Sequence, residues 1–166
     1  MKTETLNKVT ETADELLKLI SSLSEEQLNQ VPFEGSWTAG QVTDHISQSF
    51  EGVINIVNDK AIPSKRDPGK KIEPIKIMFL DFTTKMTSPD FVLPSQPPHQ
   101  KEVLIANLNT MKDQIAEAIK TLDLTEIYAD FEIPGFGKFT RLEWINFLIY
   151  HMQRHTHQIK NIQQLV

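Results

Sequence analysis

Four stretches of this chain place apolar residues at three- and four-residue steps, a spacing that gives one face only to an α-helix. The first is Leu6, Val9, Ala13, Leu16, Ile20 and Leu23, with charged residues filling the gaps. It predicts an amphipathic helix from about 3 to 22. Val42, His45, Ile46, Ser49, Val53 and Ile56 predict a second, running to Asp59. Val103 or Leu104, Leu108, Met111, Ile115, Ala118 and Leu122 predict a third, from about 99 to 121. Trp144, Leu148, His151, His155, Ile159 and Ile162 predict the last, from about 141 to 163. None can bury its stripe alone, and packing the four together buries them all. The fold class expected is all-α: a four-helix bundle, in a single domain over 1–166.

The helix starts carry their own signal. Ser24 with Gln27, Thr38 with Gln41 and Thr140 with Glu143 are capping boxes, each pairing two free backbone N–H groups. Seven of the nine prolines, Pro63, Pro68, Pro74, Pro89, Pro94, Pro97 and Pro98, fall between the second and third helices. That stretch reads as a long crossover. The apolar piece Ile75 to Phe82 inside it is read as a short helix capping the core. Lys65-Arg66 and Lys70-Lys71 are read as solvated loop. Pro134-Gly135 marks a turn, so Tyr128 to Phe139 should form an irregular hairpin-like loop.

Composition removes several classes of function. The chain has no cysteine, so any metal must be held by His, Asp or Glu. Acidic residues exceed basic ones, 22 to 17, for a net charge of -5, which argues against a nucleic-acid partner. No apolar run approaches the ~18 residues of a membrane span. Met1 to Lys8 is polar and lacks a signal-peptide core, so a cytoplasmic location is expected.

The chemistry sits in the histidines. His151 and His155 lie about 40° apart around the helix and about 6 Å apart along it, close enough to share one ion. Both fall on the apolar stripe, and His45 occupies a stripe position on another helix. Three neutral imidazoles suit a divalent transition metal such as Zn, Ni or Fe. Three protein ligands also leave a coordination position open. The competing reading is a hydrogen-bonded histidine network in the core. Gln158 faces the same way as His151 and His155 and could bond a ligand histidine or a metal-bound water. It could equally be a polar residue at the bundle mouth. Gln48 and Ser49 follow His45 by about a turn and could line the same pocket. Asp44 should point away from the centre. Trp37 and Trp144 read first as packing and second as substrate walls. His157 falls on the outer face, and His99 is read as surface. No residue is assigned a catalytic role beyond the metal ligands.

Three stretches resemble the DinB/YfiT-like superfamily: Gly35 to Ile46, with its Trp-Thr helix start and first histidine; Pro134 to Trp144, the turn into the last helix; and His151 to Ile159, the closing HxxxHxxQ. The resemblance implies a four-helix bundle with up-down-down-up connectivity and a divalent metal held by His45, His151 and His155. It implies a homodimer, since many relatives are dimers. It also implies a reaction class. Some relatives resemble thiol S-transferases that attack small electrophiles, and others are labelled metal-dependent hydrolases. The leading expectation is a metal-dependent thiol S-transferase with a small-molecule thiol as partner. The alternatives are a hydrolase of a small amide or ester, and a non-catalytic metal- or ligand-binding stress-response protein.

Overall fold

The computed structural model describes residues 1–166. Four long helices make the frame: α1 (Lys2–Ser22), α3 (Ala39–Asn58), α5 (Lys101–Thr121) and α6 (Arg141–Gln163). A short α2 (Glu25–Asn29) precedes α3, and α4 (Ile72–Leu80) lies within the crossover. The structure is therefore the helical bundle that the stripes predict, with boundaries within about two residues of those expected. α1 packs on α5 and α6, and α3 packs on the same two. α1 and α3 thus face each other across a diagonal, as do α5 and α6. The stripe residues meet in one core, with Leu16, Ile20, Ile46, Ile115 and Leu148 fully buried.

All three capping boxes form. In each, the Ser or Thr hydroxyl accepts from the backbone N–H three residues on, at 3.1 Å. These pairings fix where α2, α3 and α6 begin, and so fix the phase at which each stripe enters the core.

The crossover is anchored at several points. α4 lies along α6, burying Ile75 and Phe79, as the short-helix reading expects. Arg154 of α6 donates to the carbonyls of Phe79 and Asp81, both at 3.0 Å, and to that of Thr84. The hairpin-like loop forms, with bridges at Ile127–Thr140 and Ile133–Gly137 and positive φ at Gly135 and Gly137. Only glycine adopts that backbone at little steric cost. The sequence reading missed a two-residue ladder, in which β1 (Ala61–Ile62) pairs antiparallel with β2 (Ile127–Tyr128). Strands this short leave no periodicity to read.

One member of each basic pair in the crossover needs correction, while Lys65 and Lys70 are exposed as expected. Arg66 and Lys71 are not solvated loop. Arg66 donates twice to Glu143, at 2.7 and 2.5 Å, and Glu143 is fully buried. The same carboxylate caps α6 at the Thr140 N–H and accepts from the Lys71 N–H, both at 2.9 Å. Lys71 Nζ bonds the carbonyls of Phe136 and Lys138. A carboxylate without exposure must satisfy all its lone pairs inside the protein, and these partners do so.

Removing that carboxylate strands Arg66 and uncaps α6 together. Glu143→Ala is expected to destabilise the fold by about 3 kcal/mol, the low end for a broken buried pair because Arg66 keeps partial exposure. Thr140→Ala removes the cap hydroxyl, which also donates to the Pro68 carbonyl at 2.7 Å, and is expected to lose about 2 kcal/mol. Urea unfolding of the two variants beside the parent measures both, and equal losses would contradict the assignment.

Candidate metal centre

The α3–α6 contact brings the three stripe histidines together. His45 on α3 and His151 and His155 on α6 are all buried. His151 Nε2 lies 3.1 Å from His45 Nε2 and 3.1 Å from His155 Nε2. Nitrogen donors at 2.0–2.1 Å from a tetrahedral ion would sit about 3.3 Å from one another. Two of the three separations therefore already match one coordination sphere, and the donor atoms of all three residues lie within 4.8 Å of one another.

The outer nitrogens decide which way the lone pairs point. His45 Nδ1 lies 2.6 Å from the Val92 carbonyl, which can only accept, so Nδ1 carries the proton. His155 Nδ1 lies 2.8 Å from Gln158 Oε1 and donates to it. The lone pairs of both rings are then on Nε2, aimed inward. His151 Nε2 has at most one hydrogen to offer the two of them. A cation at that point accepts from all three rings at once, which three neutral imidazoles alone cannot do. The donor set fits a divalent transition metal.

The surroundings keep the rings neutral. Burial is the largest influence on each. It pulls His45 below the ordinary 6.5, against the Val92 hydrogen bond and Asp44, which favour the proton. Burial and the neighbouring His45 bring His155 down to about 4, against its Gln158 bond. Burial also holds His151 well below 6.5, helped by His155 and His45. Neutral imidazole is the ligating form, so at neutral pH no proton competes with a metal. Phe147 stacks parallel on His151 at 6.0 Å, Phe79 meets it edge-on at 5.6 Å, and Trp37 lies 5.2 Å from His45. His151 and His155 retain 7% and 9% exposure, so the centre lies just beneath the surface. Surface grooves between α1 and α5, and between α3 and α5, contain no histidine.

The other residues singled out by sequence divide cleanly. Gln158 touches a candidate ligand, as one of its two readings expects. Trp37 borders the centre, whereas Trp144 lies in the aromatic core against Phe139. Gln48 turns to Asp44 at 3.1 Å instead of facing the histidines. His157 faces outward, stacked on Phe82 at 4.0 Å. His99 is a correction. It is buried, because its ring lies against Gly40, where a Cβ would come within 3.1 Å of it. The Val92 carbonyl went unread, since a backbone acceptor in a Pro-rich stretch has no side-chain signature. Phe79 and Phe147 were visible only as apolar residues.

A helical bundle with three inward-pointing histidines shared by two of its helices is a class defined by fold and site together. The sequence model of the DinB superfamily matches residues 8–159, and the chain belongs to that superfamily. It is 27% identical over 149 residues to "Uncharacterized protein YuaE" of Bacillus subtilis (strain 168), covering 89% of this chain and 90% of that one. It also resembles the crystal structure of TT2238, a four-helix bundle protein, with a TM-score of 0.63 and 17% identity over 97% of this chain and 99% of that one. At that identity the likeness is one of fold.

Two outcomes test the centre. Gln158→Leu removes the acceptor that fixes the His155 tautomer and is expected to weaken zinc binding by about 10- to 100-fold, with little change in fold. Competition against a chromophoric chelator reads this, and unchanged affinity would contradict it. The second concerns pH. An unfolded histidine takes up its proton near 6.5, whereas folded His155 resists it until about 4. Between those values the unfolded chain binds more protons, so metal-free stability should hold above the upper value and fall as pH drops towards the lower. Urea midpoints against pH measure this, and His155→Leu, which cannot titrate, should show a shallower fall than the parent.

Proposed function

We propose that His45, His151 and His155 hold one divalent transition metal, and that the protein is a metal-dependent thiol S-transferase acting on small electrophiles. The convergence of three Nε2 atoms, two of them with lone pairs oriented by Val92 and Gln158, carries this reading. A metal held there supplies Lewis acidity, which lowers the pKa of a sulfur ligand and keeps it as the nucleophilic thiolate.

The chain's own residues do the rest. Val92 and Gln158 orient two of the three donors and leave their inner nitrogens free. Phe79, Phe147 and Trp37 lower the local polarity, which strengthens charge interactions at the centre. The thiolate sulfur forms a bond to the electrophilic carbon, the leaving group departs with its electron pair, and the thiol proton goes to solvent. The cluster contains histidine alone, with no carboxylate to take a proton from water. A metal acidifies a thiol and a water alike, so dependence of turnover on thiol is what separates transfer from hydrolysis.

Zinc- or nickel-loaded protein is expected to conjugate 1-chloro-2,4-dinitrobenzene with a small thiol such as cysteine or glutathione, with saturation in the thiol. Conjugate is followed by absorbance. His155→Ala is expected to lose at least about 100-fold of the rate, as the loss of a ligand implies. Ester cleavage that needs no thiol would move the assignment to a hydrolase. Metal binding without turnover on either substrate would leave a non-catalytic metal protein.

A further inference from the structure

The orientation of His45 depends on a segment outside the bundle. The Val92 carbonyl that fixes it belongs to a single 3-10 turn, Asp90–Val92, in the Pro-rich crossover. The Val92 side chain is buried, but its neighbours are not, Phe91 being 76% and Leu93 46% exposed. Pro89 and Pro94 flank the turn and have no N–H with which to anchor it.

What anchors it is Asp44. One carboxylate oxygen accepts from the Ser95 N–H at 2.8 Å, the Ser95 hydroxyl at 2.9 Å and the Gln48 amide at 3.1 Å. The Ser95 oxygen also lies 3.1 Å from His99 Nε2. His99 is pinned in turn by Asn29, which accepts from its N–H at 2.6 Å and donates to its carbonyl at 2.9 Å. Asp44 and His45 are consecutive on α3 and project about 100° apart. One grips Ser95 and the other grips Val92, so two neighbours on one helix hold both ends of a four-residue segment.

Asp44, Ser95 and His99 are the residue types of a nucleophilic triad, but their order is wrong for one. The carboxylate bonds the serine instead of the histidine, and His99 Nδ1 has no partner. The cluster is built to hold.

We infer that the Asp44–Ser95 clasp is a positioning device for the centre, setting the Val92 carbonyl that fixes the His45 tautomer and aims Nε2 inward. The inference rests on the reading that the three histidines hold a metal. Partners that orient a ligand histidine typically change metal affinity by about 10- to 100-fold.

Zinc affinity by chelator competition, the urea midpoint of metal-free protein and the His45 Nδ1–H signal in proton NMR together test it. Ser95→Ala is expected to weaken zinc about tenfold and Asp44→Ala up to about 100-fold. The double variant should lose no more than Asp44→Ala, because both act through one clasp. Ser95→Thr, which keeps the hydroxyl, should restore affinity. Ser95→Ala leaves the charge unchanged, so its loss separates positioning from simple attraction of a cation. The Nδ1–H signal should disappear through faster exchange in both single variants, at a urea midpoint close to the parent's. Parental zinc affinity with the proton signal intact, or losses that add in the double variant, would overturn the clasp. If the parent takes no zinc, the metal reading falls, and persistence of the proton signal in Ser95→Ala still overturns the clasp.

Discussion

Three neutral imidazoles with their Nε2 atoms turned on one another define this molecule. Such an arrangement is costly unless something positive sits among them, because one N–H cannot serve two acceptors. The bundle holds the rings there anyway. α3 and α6 are packed so that His45 faces His151, and the helical repeat places His155 one turn further on. Burial keeps the rings unprotonated, which removes the alternative of repelling one another as cations. The outer nitrogens of His45 and His155 are tied to Val92 and Gln158, and the His151 ring is held by packing between Phe79 and Phe147. The packing of α3 on α6, the capping box that sets the phase of each, and the crossover that closes over His45 all act on this one point.

The Pro-rich crossover is more than a connection. Glu143 gathers Arg66 and Lys71 from its beginning onto the start of α6. Arg154 gathers the end of α4 onto the middle of α6. Asp44 gathers Ser95 onto α3. Each anchor is a charged side chain meeting backbone groups or an opposite charge, which is how a segment with few N–H donors of its own can be fixed. These anchors place Phe79 and Val92 against His151 and His45.

Much of this was legible in the sequence because it depends on period and spacing. The four stripes place the long helices, and the same periodicity puts His45, His151 and His155 on inward faces. Capping boxes mark the helix starts through local chemistry that needs no tertiary context. The unreadable parts depend on partners distant in the chain. Arg66 and Lys71 look like loop charges until Glu143, beyond two helices, is beside them. His99 looks exposed until Gly40 makes room for its ring. Val92 contributes a carbonyl, which every residue has, so nothing in its identity marks it. Gln158 lay between these cases: its face was readable, and a bond to a ligand histidine was one of two readings that spacing alone left open.

The most direct measurement is the metal content of protein purified without a polyhistidine tag, by elemental mass spectrometry, beside His45→Ala and His151→Ala. One transition metal per chain in the parent, lost in both variants, is the predicted result. A parent that takes up no metal, even after incubation with zinc and nickel at mildly alkaline pH, would contradict the account and leave the histidines as a hydrogen-bonded part of the core.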